Sequence, residues 1–442
     1  MLSVSNLAAN RRLLSFLLSF AFIYSIAAFY LQQTCYHDPS SIFWRPEKAL
    51  RLSYSAIRKN EAREFSDQAV RVEQVKWDNV TAPQLCIGVA SVNRHGYSYL
   101  RETLGSLLEG LDELERKHIY LVVFLAHSDQ TKHEDSTAPW LRNMADSLPA
   151  YPDDHELLEL LQALETDDSY PSHARKQKID YSVLLDECAK VQPAYTVTLE
   201  DDVIALDGWF HRTLSALRTA VRKTEELGRD QFLYLRLFYD SRLLGWNSEE
   251  WPYYAGFSAF FVLGSLAVIL CLRKRFQTIH EATPVEVLVT LCGVCAPMMI
   301  VLFFAAGRSC MLPKEPGVGL MQMYGCCGQG LVFPQKQVTD HLLPLFRNTI
   351  DSHAAVDTFL EDYANEKDEL RWAVTPNLIQ HVGGKSSHGV GDQVQGRITS
   401  NMPFNYDFET NDPAELTHEH LAWIEELKSG LPSENPRNGR RI

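Results

Sequence analysis

Three long apolar stretches constrain this chain more than any other feature of its sequence. They cover residues 13–31, 253–272 and 285–306, and the only charged residue within them is Glu286, near an end. At a rise of 1.5 Å per residue, each is long enough as a helix to cross a hydrocarbon core of about 30 Å. A cleaved signal peptide is the alternative for the first stretch, but its apolar region would be only roughly 7–15 residues long. We therefore predict an uncleaved anchor and two further membrane spans.

The charges that flank these stretches predict how the chain crosses the membrane. Only residues 273–284 separate the second and third stretches, so the two form a hairpin, and its loop begins with three basic residues. Short basic loops stay on the cytosolic side. Two arginines precede the first stretch and place the N-terminus on that same side. Residues 32–252 and 307–442 are therefore predicted to share the lumen.

The overall charge excludes one class of partner. The formal net charge is -14, from 56 acidic against 42 basic residues. Such a chain would repel a phosphate backbone, and no stripe of Lys or Arg offsets the repulsion. We therefore expect no nucleic acid partner.

The polar part of the chain has the pattern of an α/β domain. Short apolar runs suited to buried strands alternate with helical stretches, which predicts a mostly parallel sheet. The predicted strands are 84–92, 119–126, 195–199, 232–239, 330–333 and 373–382, and the predicted helices are 100–111, 174–190, 208–227 and 356–363. Neither side of the hairpin looks complete alone, so we predict one domain split by the hairpin. The predicted parts are a cytosolic tail (1–12), an anchor (13–31), a lumenal stem (32–83), the first part of the domain (84–252), the hairpin (253–306), the second part of the domain (307–390) and a polar, loosely ordered tail (391–442).

Cysteine usage agrees with a lumenal domain. Six of the nine cysteines fall in the parts predicted to be lumenal, where disulfides persist: Cys35, Cys86, Cys188, Cys310, Cys326 and Cys327. Six cysteines allow 15 pairings, so the sequence assigns none. Buried thiols in apolar segments are an equal alternative for Cys86 and Cys188. The sequon at Asn79 also falls on the predicted lumenal side, although such triplets often arise by chance.

The sharpest chemical signal is Glu200-Asp201-Asp202, directly after the apolar strand 195–199. Three adjacent carboxylates repel one another, and a hard divalent cation bound by oxygen ligands relieves that repulsion. The carboxyl end of a strand is also where open α/β sheets bind ligands. The alternative is an acidic turn that caps the following helix, a role for which Asp207 is better placed.

Two other segments could bind an anion. Residues 173–181 place four potentially cationic side chains at or near the start of a helix, where a diphosphate is favoured, although a solvated basic face is an alternative. Residues 380–387 form a strand end and a glycine-rich loop with Lys385 and Ser386, whose backbone N–H groups could approach phosphates. His381 could be a metal or phosphate ligand, but a single histidine at a strand end is more often structural.

Together these elements resemble a known class of enzymes. The strand QLCIGVASV, the RKQKIDY helix, the TLEDD motif and the segment NLIQHVGGKSS resemble Golgi glycosyltransferases of the GT-A fold, including the branching N-acetylglucosaminyltransferases of N-glycans. An anchor plus a transmembrane hairpin inside the catalytic domain is similar to the post-GPI-attachment GalNAc-transferase family, which adds a GalNAc branch to the first mannose of glycosylphosphatidylinositol (GPI) anchors. The resemblance implies a multi-pass Golgi membrane enzyme with a lumenal, inverting catalytic domain. Its expected ligands and partners are a UDP-sugar donor, Mn²⁺ or another divalent cation, GPI-anchored protein acceptors and the lipid bilayer.

The resemblance also implies roles for individual residues. The metal ligands are Asp202, Glu200 and His381. The residues that contact the nucleotide sugar are Glu200, Asp201, Arg175, Lys178, Asp180, Lys385 and Ser386. In an inverting transfer, a carboxylate must accept the proton of the acceptor hydroxyl. Asp357 matches the acid ahead of the final strand, Glu361 and Asp362 are rivals, and surface acids on an amphipathic helix are the alternative for all three.

Other functions are weighed against this one. A GT-A enzyme that acts on N-glycans or another lumenal glycan is the alternative within the same class. A non-catalytic membrane scaffold or lectin-like protein would keep the fold and lose the metal site, so the intact acidic motif and His381 speak against it. A transporter is disfavoured because the three apolar stretches lack central charged residues.

Overall fold

The chain divides into two units that are each built from separate stretches of sequence. The structure, a computed structural model, describes residues 4–94, 97–167, 169–321, 323, 325–384 and 402–429. One unit contains the chain up to Leu50 together with Leu244–Lys314, and the other contains Arg51–Leu243 together with the chain from Glu315 onward. The second unit, called the sheet unit below, is thus assembled from chain on both sides of residues 244–314.

Helices are present in both units. The longer helices are α1 (Val4–Thr34), α2 (Tyr54–Ala69), α3 (Leu100–Leu108), α4 (His155–Thr166), α5 (Tyr170–Lys190), α6 (Trp209–Glu226), α7 (Trp251–Arg275), α8 (Ala296–Ala305), α9 (Val356–Lys367) and α10 (Pro413–Ser429). Shorter helices are Pro46–Ala49, Glu113–Lys117, Pro139–Met144, Gln277–Ala282, Val285–Thr290, Arg308–Met311, Gln335–Gln337, Leu343–Asn348 and Tyr406–Glu409.

Three helical segments are long and apolar enough to cross a membrane, as predicted. They are Arg11–His37, Ser241–Arg275 and Val285–Ala305. Their most apolar windows are exposed on the protein, with 0%, 0% and 22% of each window buried. A helix that is apolar on every side and exposed is typical of a membrane span rather than of a surface helix of a soluble protein.

A disulfide and a buried aspartate link the polar segments at the C-terminal ends of the first and third of these helices. Cys35 and Cys310 form the disulfide. The Asp38 carboxylate accepts hydrogen bonds from the backbone N–H groups of Ser40 and Cys310, at 2.8 and 3.0 Å. Gly307 has φ of +94°, and an added Cβ would lie 2.4 Å from Asp38 Oδ2, so this tight approach requires glycine.

All six cysteines of the predicted lumenal parts are paired. The pairs are Cys35–Cys310, Cys86–Cys188 and Cys326–Cys327. The alternative of free buried thiols at Cys86 and Cys188 is therefore wrong.

The sheet unit contains a seven-stranded sheet and a smaller two-stranded one. The strands are β1 (Leu85–Ser91), β2 (Ile119–Leu125), β3 (Tyr195–Glu200), β4 (Val203–Ala205), β5 (Tyr234–Arg236), β6 (Gly317–Leu320), β7 (Leu331–Pro334), β8 (Arg371–Thr375) and β9 (Ile379–His381). The large sheet has the order β2-β1-β3-β7-β5-β8-β6. Strands β2, β1, β3, β5 and β8 point one way, and β7 and β6 are antiparallel to their neighbours. The prediction of an α/β domain with a mostly parallel sheet is confirmed.

One predicted strand is two. The sequence favours a single strand over residues 373–382, but β8 belongs to the large sheet and β9 pairs with β4 in the small one. Pro376 lies between them and has no N–H to donate to a strand ladder, so the run cannot continue through it. The strand predicted at 232–239 is also shorter, because only Tyr234–Arg236 pairs as a strand.

The predicted stem and tail are partly folded into the sheet unit. Helix α2, in the expected stem, packs so closely on α3 that a Cβ at Gly105 would lie 2.3 Å from the Ala62 carbonyl oxygen. In the expected loose tail, the Glu409 carboxylate accepts from the backbone N–H of Ser55, and Gln380 donates to the Asn405 carbonyl oxygen. The expectation of a loosely ordered appendage is wrong for residues 402–429, because Phe404, Phe408, Leu416 and the Glu409 carboxylate are buried.

Candidate active site

The acidic motif occupies the turn between β3 and β4. Glu200 is the last residue of β3, and Asp201 and Asp202 form the turn. The β4–β9 pairing places Val203 opposite His381, and the Val382 N–H donates to the Asp202 carbonyl oxygen at 2.9 Å. The small sheet therefore brings together two motifs that are far apart in sequence.

His381 contacts Asp202 directly. Their Nε2 and Oδ2 atoms are 3.3 Å apart, and the other ring nitrogen of His381 lies 3.1 Å from the Pro403 carbonyl oxygen. The glycine at 383 leaves the room for this contact, because a Cβ there would lie 2.2 Å from Asp202 Oδ2 and 2.9 Å from His381 Nε2. The predicted metal ligands Asp202 and His381 are thus neighbours.

Arg94 is a member of the site that sequence reasoning missed. Its guanidinium forms ion pairs with Asp201 Oδ1 at 2.6 Å and with Asp202 Oδ2 at 3.3 Å. It also lies over the ring of Tyr99, whose hydroxyl accepts a hydrogen bond from the Gly384 N–H at 2.8 Å. The available signal was its position in the turn after β1, because β1 and β3 are parallel neighbours whose carboxyl ends meet at one sheet edge.

A loop before β7 closes the other side of Glu200. Gln329 donates to Glu200 Oε2 at 2.7 Å. A Cβ at Gly328 would lie 3.1 Å from both Glu200 Oε1 and the Tyr181 hydroxyl, so α5 reaches the site through Tyr181. The Cys327 N–H donates to Asp357 Oδ2 at 3.1 Å, which places Asp357 beside the same loop.

Burial and mutual repulsion set the protonation of the motif. Burial, together with the charge of Asp202, raises the pKa of Glu200 to about 7. Burial also raises the pKa of Asp201, although Arg94 opposes the shift. For Asp202, burial disfavours the charged form, but His381 and Arg94 outweigh it and hold the pKa well below its usual range. Burial would lower the pKa of His381, but Asp202 outweighs burial and raises it.

The predicted nucleotide-binding residues of α5 bind other protein groups. Arg175 pairs with Asp351 at 2.7 Å. Lys178 donates to two backbone carbonyl oxygens of residues 352 and 354, each at 2.6 Å. Asp180 is buried with Lys176 at 3.1 Å and accepts a hydrogen bond from Tyr151. Their nucleotide-binding role stays a prediction, and Lys385 and Ser386 lie outside the described residues.

The three candidate bases differ in their surroundings. Asp357 is half-buried in the first turn of α9. Glu361 is buried, forms ion pairs with Arg236 and Arg371, and accepts a hydrogen bond from Tyr234. Asp362 is exposed. Among the three, only Asp357 is beside the loop that contacts Glu200 and is also reachable from solvent.

The residues of the acidic turn fit a divalent cation. Asp202 Oδ1 is buried and has no hydrogen-bond partner among the described residues. Two buried carboxylates, Asp201 and Asp202, and the partly buried Glu200 face one guanidinium and one imidazole, so carboxyl groups outnumber cationic groups. Oxygen ligands with uncompensated charge are what hard divalent cations require. Asp202, Glu200 and His381 therefore remain suitable ligands.

A comparison with protein families identifies the class. The family described as GPI-N-acetylgalactosamine transferase PGAP4 matches residues 85–380, about two thirds of the chain. The chain belongs to this family. The match confirms the resemblance implied by the motifs and places this PGAP4-family protein among the hexosyl and N-acetylhexosaminyl transferases.

Curated relatives are also glycosyltransferases by name. Alpha-1,3-mannosyl-glycoprotein 4-beta-N-acetylglucosaminyltransferase B of Danio rerio is 31% identical over 143 residues, which are 29% of this chain and 25% of the relative. The type C enzyme of Sus scrofa is 34% identical over 128 residues, 27% of each chain. Alpha-1,6-mannosyl-glycoprotein 4-beta-N-acetylglucosaminyltransferase of Gallus gallus is 27% identical over 186 residues, 40% of this chain and 39% of the relative. The PGAP4-family chain thus spans between a quarter and two fifths of the length of these relatives.

Proposed function

We propose that this protein transfers GalNAc from UDP-GalNAc to a mannose of GPI anchors, as a metal-dependent inverting enzyme of the Golgi lumen. The observation that carries the proposal is the buried acidic turn 200–202, held against His381 in a chain of the PGAP4 family. A GT-A fold for the sheet unit is part of the proposal. It is supported by the parallel strands β2, β1 and β3, the last of which leads directly into the acidic turn.

The donor would bind at the acidic turn. Asp202, Glu200 and His381 would hold Mn²⁺ or another divalent cation, which when bound supplies positive charge to the leaving diphosphate. Arg94 adds a second positive charge at the same place, because it already pairs with Asp202. On α5, Tyr181 is better supported as a site residue than the basic residues of that helix, since its hydroxyl lies beside the loop that contacts Glu200.

Asp357 is the proposed catalytic base. In the transfer, the acceptor hydroxyl oxygen bonds to the anomeric carbon on the face opposite the nucleotide, and the bond from that carbon to the diphosphate oxygen breaks. UDP keeps the electron pair of the broken bond, and the Asp357 carboxylate takes the hydroxyl proton. Glu361 is less suited because two arginines hold its carboxylate. Asp362 is less suited because it is exposed, and no hydrogen bond within the described parts of the chain orients it.

The membrane helices support an acceptor at the bilayer. Three segments are suited to crossing a membrane, and the glycan of a GPI anchor lies close to the membrane surface. A site tethered to the bilayer meets such an acceptor at raised effective concentration. The three disulfides support an oxidising compartment, such as the secretory lumen, for both units.

Transfer of GlcNAc to an N-glycan is the second candidate. It is favoured by the relatives, whose names describe N-acetylglucosaminyl transfer to mannosyl-glycoproteins. The two candidates share the site and differ in donor sugar and acceptor, so a direct assay separates them.

The test uses the purified full-length protein in detergent. UDP-GalNAc and UDP-GlcNAc are each offered with a GPI glycan in lipid vesicles and with a mannose-terminated N-glycopeptide, and products are read by mass spectrometry. We expect GalNAc on the GPI glycan only. GlcNAc on the glycopeptide would replace the proposal with the second candidate.

Matched variants test whether the product is formed at the proposed site. Asp202→Asn and Asp357→Asn should abolish the product, whereas Asp362→Asn, on the exposed face of α9, should retain it. Full activity of Asp202→Asn would refute the assigned site even if the product is correct.

A further inference from the structure

A second cluster of buried ligand-type side chains lies in the sheet unit, apart from the acidic turn. It joins three elements: Glu115 of the short helix Glu113–Lys117, His211 of α6 and His420 of α10. All three residues are buried, and one ligand atom from each lies within 4.8 Å of the other two. The residues are separated by about a hundred and about two hundred positions in sequence, so only the packing of the helices brings them together.

Each histidine of the cluster is oriented by a carboxylate outside it. His420 Nδ1 is 2.7 Å from Asp207 Oδ1, and His211 Nε2 is 3.3 Å from Glu419 Oε1. A carboxylate on one ring nitrogen fixes the tautomer and leaves the other nitrogen as a ligand. This arrangement is typical of histidines that bind a metal ion.

Two buried polar atoms of the cluster lack a hydrogen-bond partner in the described part of the chain. Glu115 Oε2 accepts from the Asp112 N–H at 3.1 Å and lies 2.9 Å from His420 Nε2, but Glu115 Oε1 is buried without a hydrogen-bond partner among the described residues. His211 Nδ1 is likewise buried and unpartnered there. Glu115 is fully buried and His211 is 7% exposed. Leaving such atoms unsatisfied is costly, and a bound ion would satisfy both.

We propose that Glu115, His211 and His420 bind a zinc ion. Two imidazole nitrogens and one carboxylate oxygen are a ligand set that zinc accepts, with a fourth position left for water or another oxygen. A tetrahedral shell with bonds of about 2.0–2.1 Å spaces its ligand atoms by about 3.4 Å. The ligand atoms, now up to 4.8 Å apart, must therefore approach one another by about 1.5 Å at most when the ion binds. Small rotations of the stacked rings of His211 and His420 would be enough for this approach. His420 gives up the proton on Nε2 when that nitrogen becomes a ligand.

The site would fasten the C-terminal helix to the sheet unit. Helix α10 carries His420, and the other two ligands belong to elements that follow α3 and β4 in the chain. An ion bound by all three holds the folded state and has no equivalent in the unfolded chain, so it stabilises folding by mass action. This site is chemically distinct from the acidic turn, which is rich in carboxylates and suits harder cations.

Metal content of the purified full-length protein tests the proposal. Protein prepared in detergent without chelator, or dialysed against equimolar zinc, is analysed by plasma mass spectrometry in the Asp202→Asn background, so that an ion at the acidic turn does not contribute. We expect one zinc per chain, and less than a tenth of that in His211→Ala and in Glu115→Gln. His418→Ala, exposed on the same helix, is the matched control and should keep the ion.

Thermal unfolding supplies a readout that does not depend on ion recovery. In the same Asp202→Asn background, zinc added to stripped protein should raise the Tm of the His418→Ala control and leave that of His211→Ala unchanged. His211 is the variant of choice because, among the residues that the structure describes, its Nδ1 has no partner to lose. A wild-type chain without stoichiometric zinc after dialysis, or an equal rise in Tm in His211→Ala, would overturn the proposal and leave the cluster as a histidine held between carboxylates.

Discussion

The acidic turn at residues 200–202 and the cluster around Glu361 are both buried charged groups of the sheet unit, but their charge balance is opposite. At the turn, three carboxylates face one arginine and one histidine. In the other cluster, a single carboxylate is shared by Arg236 and Arg371 and accepts a hydrogen bond from Tyr234. Both arginines also donate to backbone carbonyl oxygens nearby.

This difference separates a binding site from a structural network. Buried charges that are paired and hydrogen-bonded within the protein need no further partner, and removing one member leaves the others exposed to the full cost of desolvation. Adjacent carboxylates repel one another, and Asp202 Oδ1 has no hydrogen-bond partner among the described residues, so the turn is higher in energy until a counter-ion or ligand binds. The turn should therefore respond to mutation mainly in activity, and the Glu361 cluster mainly in stability.

The largest effect is expected for Asp202→Asn. This change removes the charge that contacts His381 and would face the cation, so transfer should fall by about 1,000-fold or more, comparable to losing a main electrostatic contact of a transition state. His381 and Arg94 stabilise the ionised form of Asp202, so its loss should also lower the unfolding free energy, by about 1–2 kcal/mol, because the relief of repulsion from Glu200 and Asp201 offsets only part of the lost contacts. Initial rates and chemical unfolding in detergent measure the two quantities. Activity near the wild-type level would mean that the acidic turn is not a binding site and that the proposed difference between the two clusters is wrong.

Glu361→Ala should have the opposite signature. It leaves Arg236 and Arg371 buried without their carboxylate, which should cost about 3–5 kcal/mol of unfolding free energy. Asp362→Ala, exposed on the same helix, is the control and should change stability by less than about 0.5 kcal/mol. If Glu361→Ala proved stable and inactive, Glu361 rather than Asp357 would be the better base.

Glu200→Gln should alter the pH dependence of stability in protein freed of divalent cations. The folded-state pKa of Glu200 is raised to about 7 from 4.5. Between these values the unfolded state releases the proton while the folded state keeps it, so Glu200 lowers stability as pH rises. The variant should match wild type near pH 4 and exceed it by about 2–3 kcal/mol near pH 7.5. A difference that is constant across this range would show that Glu200 ionises normally in the fold.

The smallest effect is expected for Arg94→Met. Arg94 favours the ionised forms of Asp201 and Asp202, so its loss should raise their pKa values. Transfer should fall about 10-fold at neutral pH, which corresponds to a loss of about 1.4 kcal/mol of electrostatic stabilisation. The acidic limb of the pH–rate profile should move to higher pH, and Arg94→Lys, which keeps the charge, should restore part of the rate. An unmoved limb would mean that Arg94 acts only by packing on Tyr99.

Much of the fold could be predicted from local patterns of apolar residues in the sequence. The strands 84–92, 119–126 and 195–199 and the helices 100–111, 174–190 and 208–227 were predictable because apolar periodicity depends on near neighbours. The strand near Pro376 was misjudged because its apolar run continues across a residue that cannot donate to a ladder. The expected loose tail was misjudged for a different reason: Glu409 and His420 are polar, and nothing in their neighbourhood in sequence shows that Ser55 and Asp207 bind them.

The sequence by itself determined the apolar helices, the alternating α/β pattern and the acidic motif at the end of β3. Only the tertiary structure decided that the β4–β9 pairing places His381 beside Asp202. It also decided that Arg94 pairs with the acidic motif and that two arginines form ion pairs with Glu361. The physical reason is range. Helix, strand and membrane propensities are set by residues a few positions apart. The contacts of His381, Arg94 and Arg236 join residues more than a hundred positions apart and depend on which chain segments pack together.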